Sequence, residues 1–135
     1  MKNLVPKEIT ILVVEDERPL IEAIKTKLEK TGFAVVTARA VEQAINYLED
    51  IEHIDAIWLD HYLLGKEDGL DFVTKLKHAE AKWKHVPIFV VSNSATAAKV
   101  RSYMRLGVNK YFVKSEYRLD QIIGDIRSYL EHPKE

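Results

Sequence analysis

Five polar side chains each follow a short apolar run. Glu15 and Asp16 come after Ile9–Val14, Asp60 after Ala56–Leu59, Ser92 after Pro87–Val91, and Lys114 after Lys110–Val113. Carboxylates brought close together repel one another unless a cation joins them. Oxygen ligands with room for several waters suit Mg2+, or Mn2+ in its place. An ammonium and a hydroxyl beside such an ion suit a phosphoryl group, whose oxygens want cations and donors. A carboxylate at the centre of this set is a nucleophile for phosphorus, and its product is an aspartyl phosphate. Asp60 is the central candidate, with Glu15 and Asp16 holding the metal, Lys114 facing the transferring charge, and Ser92 donating to a phosphoryl oxygen. Each residue also has a plainer role. Asp60 can cap the next turn, Ser92 can cap the following helix, and the acids at 15–17 can favour a helix N-terminus. Glu17 is assigned to that last role.

The chemistry needs elements that bring these residues to one edge. β-branched and apolar runs predict strands β1 (9–14), β2 (34–38), β3 (55–60), β4 (87–91) and β5 (110–113). Helical spacing of apolar residues predicts α1 from Arg18-Pro19 to Gly32, α2 through Val41, Ala44, Ile45 and Leu48, and α3 over 69–82. It also predicts α4 over 95–106 and α5 through Leu119, Ile122, Ile123, Ile126 and Leu130. Strict alternation of strand and helix implies an α/β fold with a parallel sheet covered on both faces. The expected architecture is a flavodoxin-like, doubly wound (βα)5 domain with strand order 2-1-3-4-5. In that order β1, β3, β4 and β5 are consecutive neighbours, so all five polar residues converge at the switch point between β1 and β3.

The 135 residues fit one domain: a lead-in over 1–8, a folded unit over 9–131 and a tail over 132–135. A formal net charge of −1 gives no global pull toward nucleic acid or an anionic membrane. The absence of cysteine excludes disulfides, thiolate metal sites and cysteine catalysis. No apolar stretch is long enough to span a bilayer, and no signal-peptide core precedes β1, so a cytoplasmic protein is expected.

The fragments Ile-Leu-Val-Val-Glu-Asp-Glu, Ile-Trp-Leu-Asp, Val-Val-Ser-Asn and Tyr-Phe-Val-Lys, each after its strand and in this order, resemble the receiver domain of two-component response regulators. The resemblance covers about residues 9 to 131 and points to a stand-alone receiver. It implies phosphotransfer to Asp60 from a sensor histidine kinase or a phosphotransfer protein. It implies Mg2+ on Glu15, Asp16, Asp60 and the main-chain carbonyl of Tyr62. Ser92 takes the place of the switch hydroxyl, Tyr111 of the switch aromatic and Lys114 of the phosphate-binding lysine. The output surface it implies is the α4-β5-α5 face, near Ala97, Ala98, Arg101, Tyr111 and Tyr117. There a downstream protein would bind, and a homodimer could form on phosphorylation. The implied class is a phosphorylation-dependent switch, not an enzyme beyond its own phosphotransfer and dephosphorylation.

The chain departs from the family's pattern at several places. Leu64 stands where Pro is usual, four residues after the acceptor. Asp68-Gly69 falls one residue later than the usual Asp-Gly, so the loop carries an insertion. Ser115 replaces the Pro that commonly follows the lysine in a cis bond. Glu15 replaces the commoner Asp and is expected to carry its carboxylate outward by one methylene. His61 is read as a polar residue of an exposed loop that rims the pocket with Tyr62 and Ser94, and Trp58 as core. Two rivals stand beside the switch. One is a receiver-like interaction module that never takes phosphate. The other is a small Mg2+-dependent phosphohydrolase, which would need a second acid/base group near Asp60.

Overall fold

The computed structural model describes residues 8–51, 53–78 and 81–132. Residues 1–7 of the lead-in and 133–135 of the tail lie outside the described residues. Five strands, β1 (Thr10–Val14), β2 (Ala34–Ala38), β3 (Ala56–Leu59), β4 (Ile88–Ser92) and β5 (Lys110–Val113), alternate with five helices. The helices are α1 (Arg18–Lys30), α2 (Val41–Asp50), α3 (Gly69–Lys77), α4 (Ala97–Arg105) and α5 (Leu119–Glu131). All strands are parallel, in the order β2-β1-β3-β4-β5 expected from the alternation.

Side-chain alternation along the central strands divides the core between two helix layers. Ile11, Val13, Ala56, Trp58, Phe89 and Val91 pack with Ile24 and Leu28 of α1 and with Ile122, Ile123 and Ile126 of α5. Their neighbours Leu12, Val14, Ile57, Leu59, Ile88 and Val90 face the other way. They pack with Val41, Ala44 and Leu48 of α2, Phe72, Val73 and Leu76 of α3, and Tyr103 of α4. Each such side chain taken fully out of water contributes roughly 1.5–3 kcal/mol. Trp58 is fully buried in the α1/α5 layer, as its sequence position implies.

The helix ends follow local chemistry. Gly32 and Gly107 take positive φ (99° and 95°) just past α1 and α4, where a left-handed residue ends a helix at no steric cost. Asp68 caps α3: its carboxylate accepts the Asp71 N–H at 3.0 Å, and Asp71 returns the bond to the Asp68 N–H at 2.8 Å. Helix α3 is shorter than its periodicity predicts. It stops at Lys77, and His78 leaves the helical region with ψ 141°. The residues that follow are held by a different anchor. Trp83 donates its indole N–H to the Leu48 carbonyl at 3.1 Å, and Lys77 Nζ binds the Lys84 carbonyl at 2.9 Å. Half-buried Trp83 thereby joins the α2 side of the core as part of a turn, not as the end of α3. No described helix is long and apolar enough to cross a membrane.

Candidate functional site

The C-terminal ends of β1, β3, β4 and β5 meet at one edge of the sheet, and the candidate residues sit there. The ladder continues just past the strands: Glu15 N–H donates to the Ala38 carbonyl at 3.0 Å and Asp60 N–H to the Val14 carbonyl at 2.9 Å. These bonds fix where both carboxylates leave the backbone. Carboxylate oxygens of Glu15, Asp16 and Asp60 all lie within 4.8 Å of one another. Lys114 Nζ reaches Glu15 Oε1 at 3.1 Å and Asp60 Oδ2 at 3.6 Å. The fully buried Ser92 hydroxyl accepts the Ser94 N–H at 3.2 Å and lies near enough to the Asp60 carboxylate to favour its charged form.

Glu15 lies only 1 % exposed, so its extra methylene turns the carboxylate inward, not outward as its length suggests. One oxygen meets Lys114 and the other accepts the Glu17 N–H at 3.2 Å, at the entry to α1. Glu17, assigned to the helix start, is the N-cap residue of α1, and Glu15 holds its N–H. Burial pushes the Glu15 carboxyl up to about 7, with the Asp60 charge adding to the rise and Lys114 opposing it. Burial also holds the Asp60 carboxyl above its ordinary value. Lys114, the His61 main-chain N–H and the Ser92 hydroxyl pull it back, while Asp16 adds to the rise. Three carboxylates lie together and the Lys114 ammonium reaches two of them, Glu15 and Asp60; an all-oxygen set short of positive charge fits a divalent cation.

Ser92 does not cap α4. Thr96 does, its hydroxyl accepting the Lys99 N–H at 3.2 Å. Tyr111 is half-buried and donates its hydroxyl to the Ser94 carbonyl, so it sits over the strand end that carries Ser92. The Lys114–Ser115 bond is trans, as are all described peptide bonds. Of the residues expected near the output surface, Ala97, Ala98, Arg101 and Tyr117 are exposed and Tyr111 is half-buried.

His61 departs from its expected place. It is 5 % exposed, packed under the loop, with Nδ1 2.6 Å from the Tyr103 hydroxyl. Burial and nearby Lys99 hold its ring below the ordinary histidine value. The loop folds inward because Gly69 N–H donates to the His61 carbonyl at 2.8 Å. A Cβ at Gly69 would stand 2.9 Å from the Asp60 carbonyl and 3.1 Å from His61 Cα, so only glycine closes the loop this tightly. Outside it, Leu64 N–H donates to the Arg39 carbonyl at 3.0 Å, and Gly65 turns the chain with φ 89°. Tyr62 is exposed, and Ser94 is half-buried beside Ser92.

Three contributors escape a reading of the sequence. Arg39 donates twice to the Asp16 carbonyl, at 2.9 and 2.6 Å, and so pins the backbone of a metal candidate. Nothing in the sequence marks it. Lys99 binds Ser94 Oγ at 2.5 Å and lies 5.1 Å from the centre of the Tyr62 ring. Tyr103 is the buried residue of α4. The i, i+4 spacing of Lys99 and Tyr103 places both on one helical face and was the available signal.

The sequence matches the family described as response regulator receiver domain over residues 11–127. It is 32 % identical over 114 residues to the alginate biosynthesis transcriptional regulatory protein AlgB of Pseudomonas aeruginosa, covering 84 % of this chain and 24 % of that protein. It is 28 % identical over 120 residues to the transcriptional regulatory protein CpxR of Escherichia coli, covering 89 % of this chain and 48 % of the other. The chain therefore spans between a quarter and a half of those relatives. Against the chemotaxis protein CheY1 of Helicobacter pylori it is 28 % identical, covering 77 % of this chain and 83 % of that one. Among solved structures, the phosphorylated cyanobacterial phytochrome response regulator RcpA superposes with a TM-score of 0.81 at 27 % identity, covering 96 % and 98 % of the two chains.

Proposed function

The chain belongs to the response regulator receiver-domain family, and on that premise we propose that it is a signalling switch set by phosphorylation of Asp60. The observation that carries this reading is the shared ammonium. Lys114 stands 3.6 Å from Asp60 and 3.1 Å from Glu15, where charge on an incoming phosphoryl group would develop.

An Asp60 carboxylate oxygen attacks the phosphorus of a phosphohistidine presented by a histidine kinase or phosphotransfer protein. The new O–P bond forms as the N–P bond breaks, and the electron pair returns to the imidazole nitrogen, which takes up a proton. Lys114 accompanies the transferring charge, and Ser92 turns its hydroxyl from the carboxylate to a phosphoryl oxygen. Glu15, Asp16, Asp60 and the main-chain carbonyl of Tyr62 would hold Mg2+ or Mn2+, which when bound neutralises charge on the transferring group. Water later cleaves the acyl phosphate, so the chain resets itself without acting as an enzyme on other substrates.

Ser92 moving toward the phosphoryl group changes the ground beneath Tyr111, and the surface of α4, β5 and α5 shifts population. The exposed Arg101, Met104 and Tyr117 on this side support it as the surface offered to a downstream protein or to a second copy of the chain. A cytoplasmic location fits this reading. The test is intact mass after incubation with acetyl phosphate and Mg2+, with Asp60→Asn alongside. One base-labile phosphoryl adduct, absent from the variant, is the expected result. No adduct under early quench would favour a phosphate-independent interaction module, and steady turnover of phosphate esters would favour a phosphohydrolase.

A further inference from the structure

Helix α4 grips the two residues that follow Asp60 with two side chains one turn apart. Lys99 takes Tyr62 on the outside, its Nζ 3.4 Å from the Tyr62 hydroxyl. Tyr103 takes His61 on the inside, at 2.6 Å. The two grips differ in kind. Tyr62 is 57 % exposed, and a contact of this sort in water is weak. His61 and Tyr103 are both buried, and Tyr103 is fully so. A hydrogen bond between buried groups is costly to break, because neither partner finds water in exchange.

His61 is joined to Asp60 by more than the chain. Its main-chain N–H faces the Asp60 carboxylate and favours the charged form, while its ring bonds Tyr103. His61 Nε2 lies 3.7 Å from the Asp68 carboxylate, which favours the ring proton on that nitrogen. Nδ1 is then the acceptor and the Tyr103 hydroxyl the donor. Tyr103 in turn lies edge-on against Tyr111, with ring centres 5.6 Å apart. A continuous path of contacts therefore runs from the Asp60 carboxylate through His61 to Tyr103, the side chain by which α4 is buried. This path does not pass through Ser92.

We infer that Tyr103 is a positioning residue that carries the state of Asp60 into α4 through its hydrogen bond to His61. This rests on the proposed phosphorylation of Asp60. When the carboxylate becomes an acyl phosphate, the acceptor facing the His61 N–H changes in charge and position. His61 then shifts, and its ring cannot shift without Tyr103 following or the buried bond breaking. Helix α4 is thus coupled to Asp60 at its buried face as well as through Tyr111.

The experiment is amide NMR of the full chain before and after beryllofluoride and Mg2+ are added as a phosphoryl mimic. It compares the native chain, Tyr103→Phe, and the pair His61→Leu with Tyr103→Phe. The single variant keeps the ring and removes the donor. The paired variant replaces both polar partners with apolar ones of similar size, which costs little stability and guards against a misfolded single variant. The mimic is expected to shift the amides of Arg101 and Arg105 in the native chain. In both variants the equilibrium of α4 should move by about fivefold less, the worth of one buried hydrogen bond. The amides of Asp60 and Ser92 should respond fully in all chains. If the α4 response is unchanged in the variants, Tyr103 is only packing and the inference is wrong. If the native chain takes neither the mimic nor a phosphoryl adduct, the phosphorylation reading itself fails and the inference falls with it.

Discussion

The two helix layers hold the same sheet by different means. Against the α1/α5 layer the strands present Ile11, Val13, Trp58, Phe89 and Val91, and that side is closed with apolar contacts. Its polar ties are peripheral: Lys27 to exposed Asp120 at 2.9 Å, and Arg127 to the Thr31 carbonyl. The α4 side of the other layer carries polar joints right beside the acidic cluster. These are Tyr103 to His61, Lys99 to Ser94, and Tyr111 to the Ser94 carbonyl. Apolar packing has one tight arrangement and resists displacement. Hydrogen bonds can exchange partners at modest net cost. The difference teaches where a change at Asp60 can travel. If Asp60 takes a phosphoryl group as proposed, the change is expected to move toward α4, because that side is built of exchangeable joints, while the α1/α5 side supplies the fixed reference.

The comparison breaks first if the apolar layer turns out to be soft. Trp58→Ala empties the centre of that layer and should cost about 3–5 kcal/mol in urea unfolding. A loss below about 1 kcal/mol would mean the layer can collapse or rearrange, and that it is not the rigid side.

The next largest effect belongs to the acidic cluster between the layers. Glu15 stays protonated in the fold up to about 7, against 4.5 for the free side chain. Between those values the unfolded state binds fewer protons, so stability falls as pH rises. Without divalent cation, unfolding free energy should drop by on the order of 2–3 kcal/mol from about pH 5 to about pH 8. Mg2+ at the upper pH should restore it, and Glu15→Gln should flatten the profile. A flat profile in the native chain would show that Lys114 already balances the cluster.

Smaller is the joint at Tyr111. Tyr111→Phe removes one hydrogen bond and should cost about 1 kcal/mol in urea, while weakening the response of α4 to a phosphoryl mimic. An unchanged response would transfer the coupling to other contacts. Smallest is the peripheral tie of the fixed layer. Asp120→Asn breaks an exposed ion pair and should leave both the unfolding midpoint and phosphoryl acceptance unaltered.

Much of this organisation was legible in the sequence. The parallel α/β fold followed from alternation, since period-2 and period-3.6 patterns are strong local signals, and the flavodoxin-like strand order expected for it brings Glu15, Asp16, Asp60, Ser92 and Lys114 together. What escaped was set by tertiary contact. His61 looks like a loop residue, yet Gly69 folds the loop inward and Tyr103 satisfies the ring. Glu15 looks like a longer, outward Asp, yet Lys114 and the Glu17 N–H turn it inward. Helix α3 ends at Lys77, short of the expected Lys82, and the segment beyond is held by Trp83, whose indole binds the Leu48 carbonyl at the end of α2. Arg39 could not be found from sequence, because its partner is a main-chain carbonyl.

Hydrogen–deuterium exchange across the whole chain, with and without beryllofluoride and Mg2+, tests the central claim most directly. Protection should change in the loop over 61–68 and in α4, and stay constant in the buried face of α5 around Ile122–Ile126. Changes confined to α1 and α5, with α4 unaltered, would contradict the account.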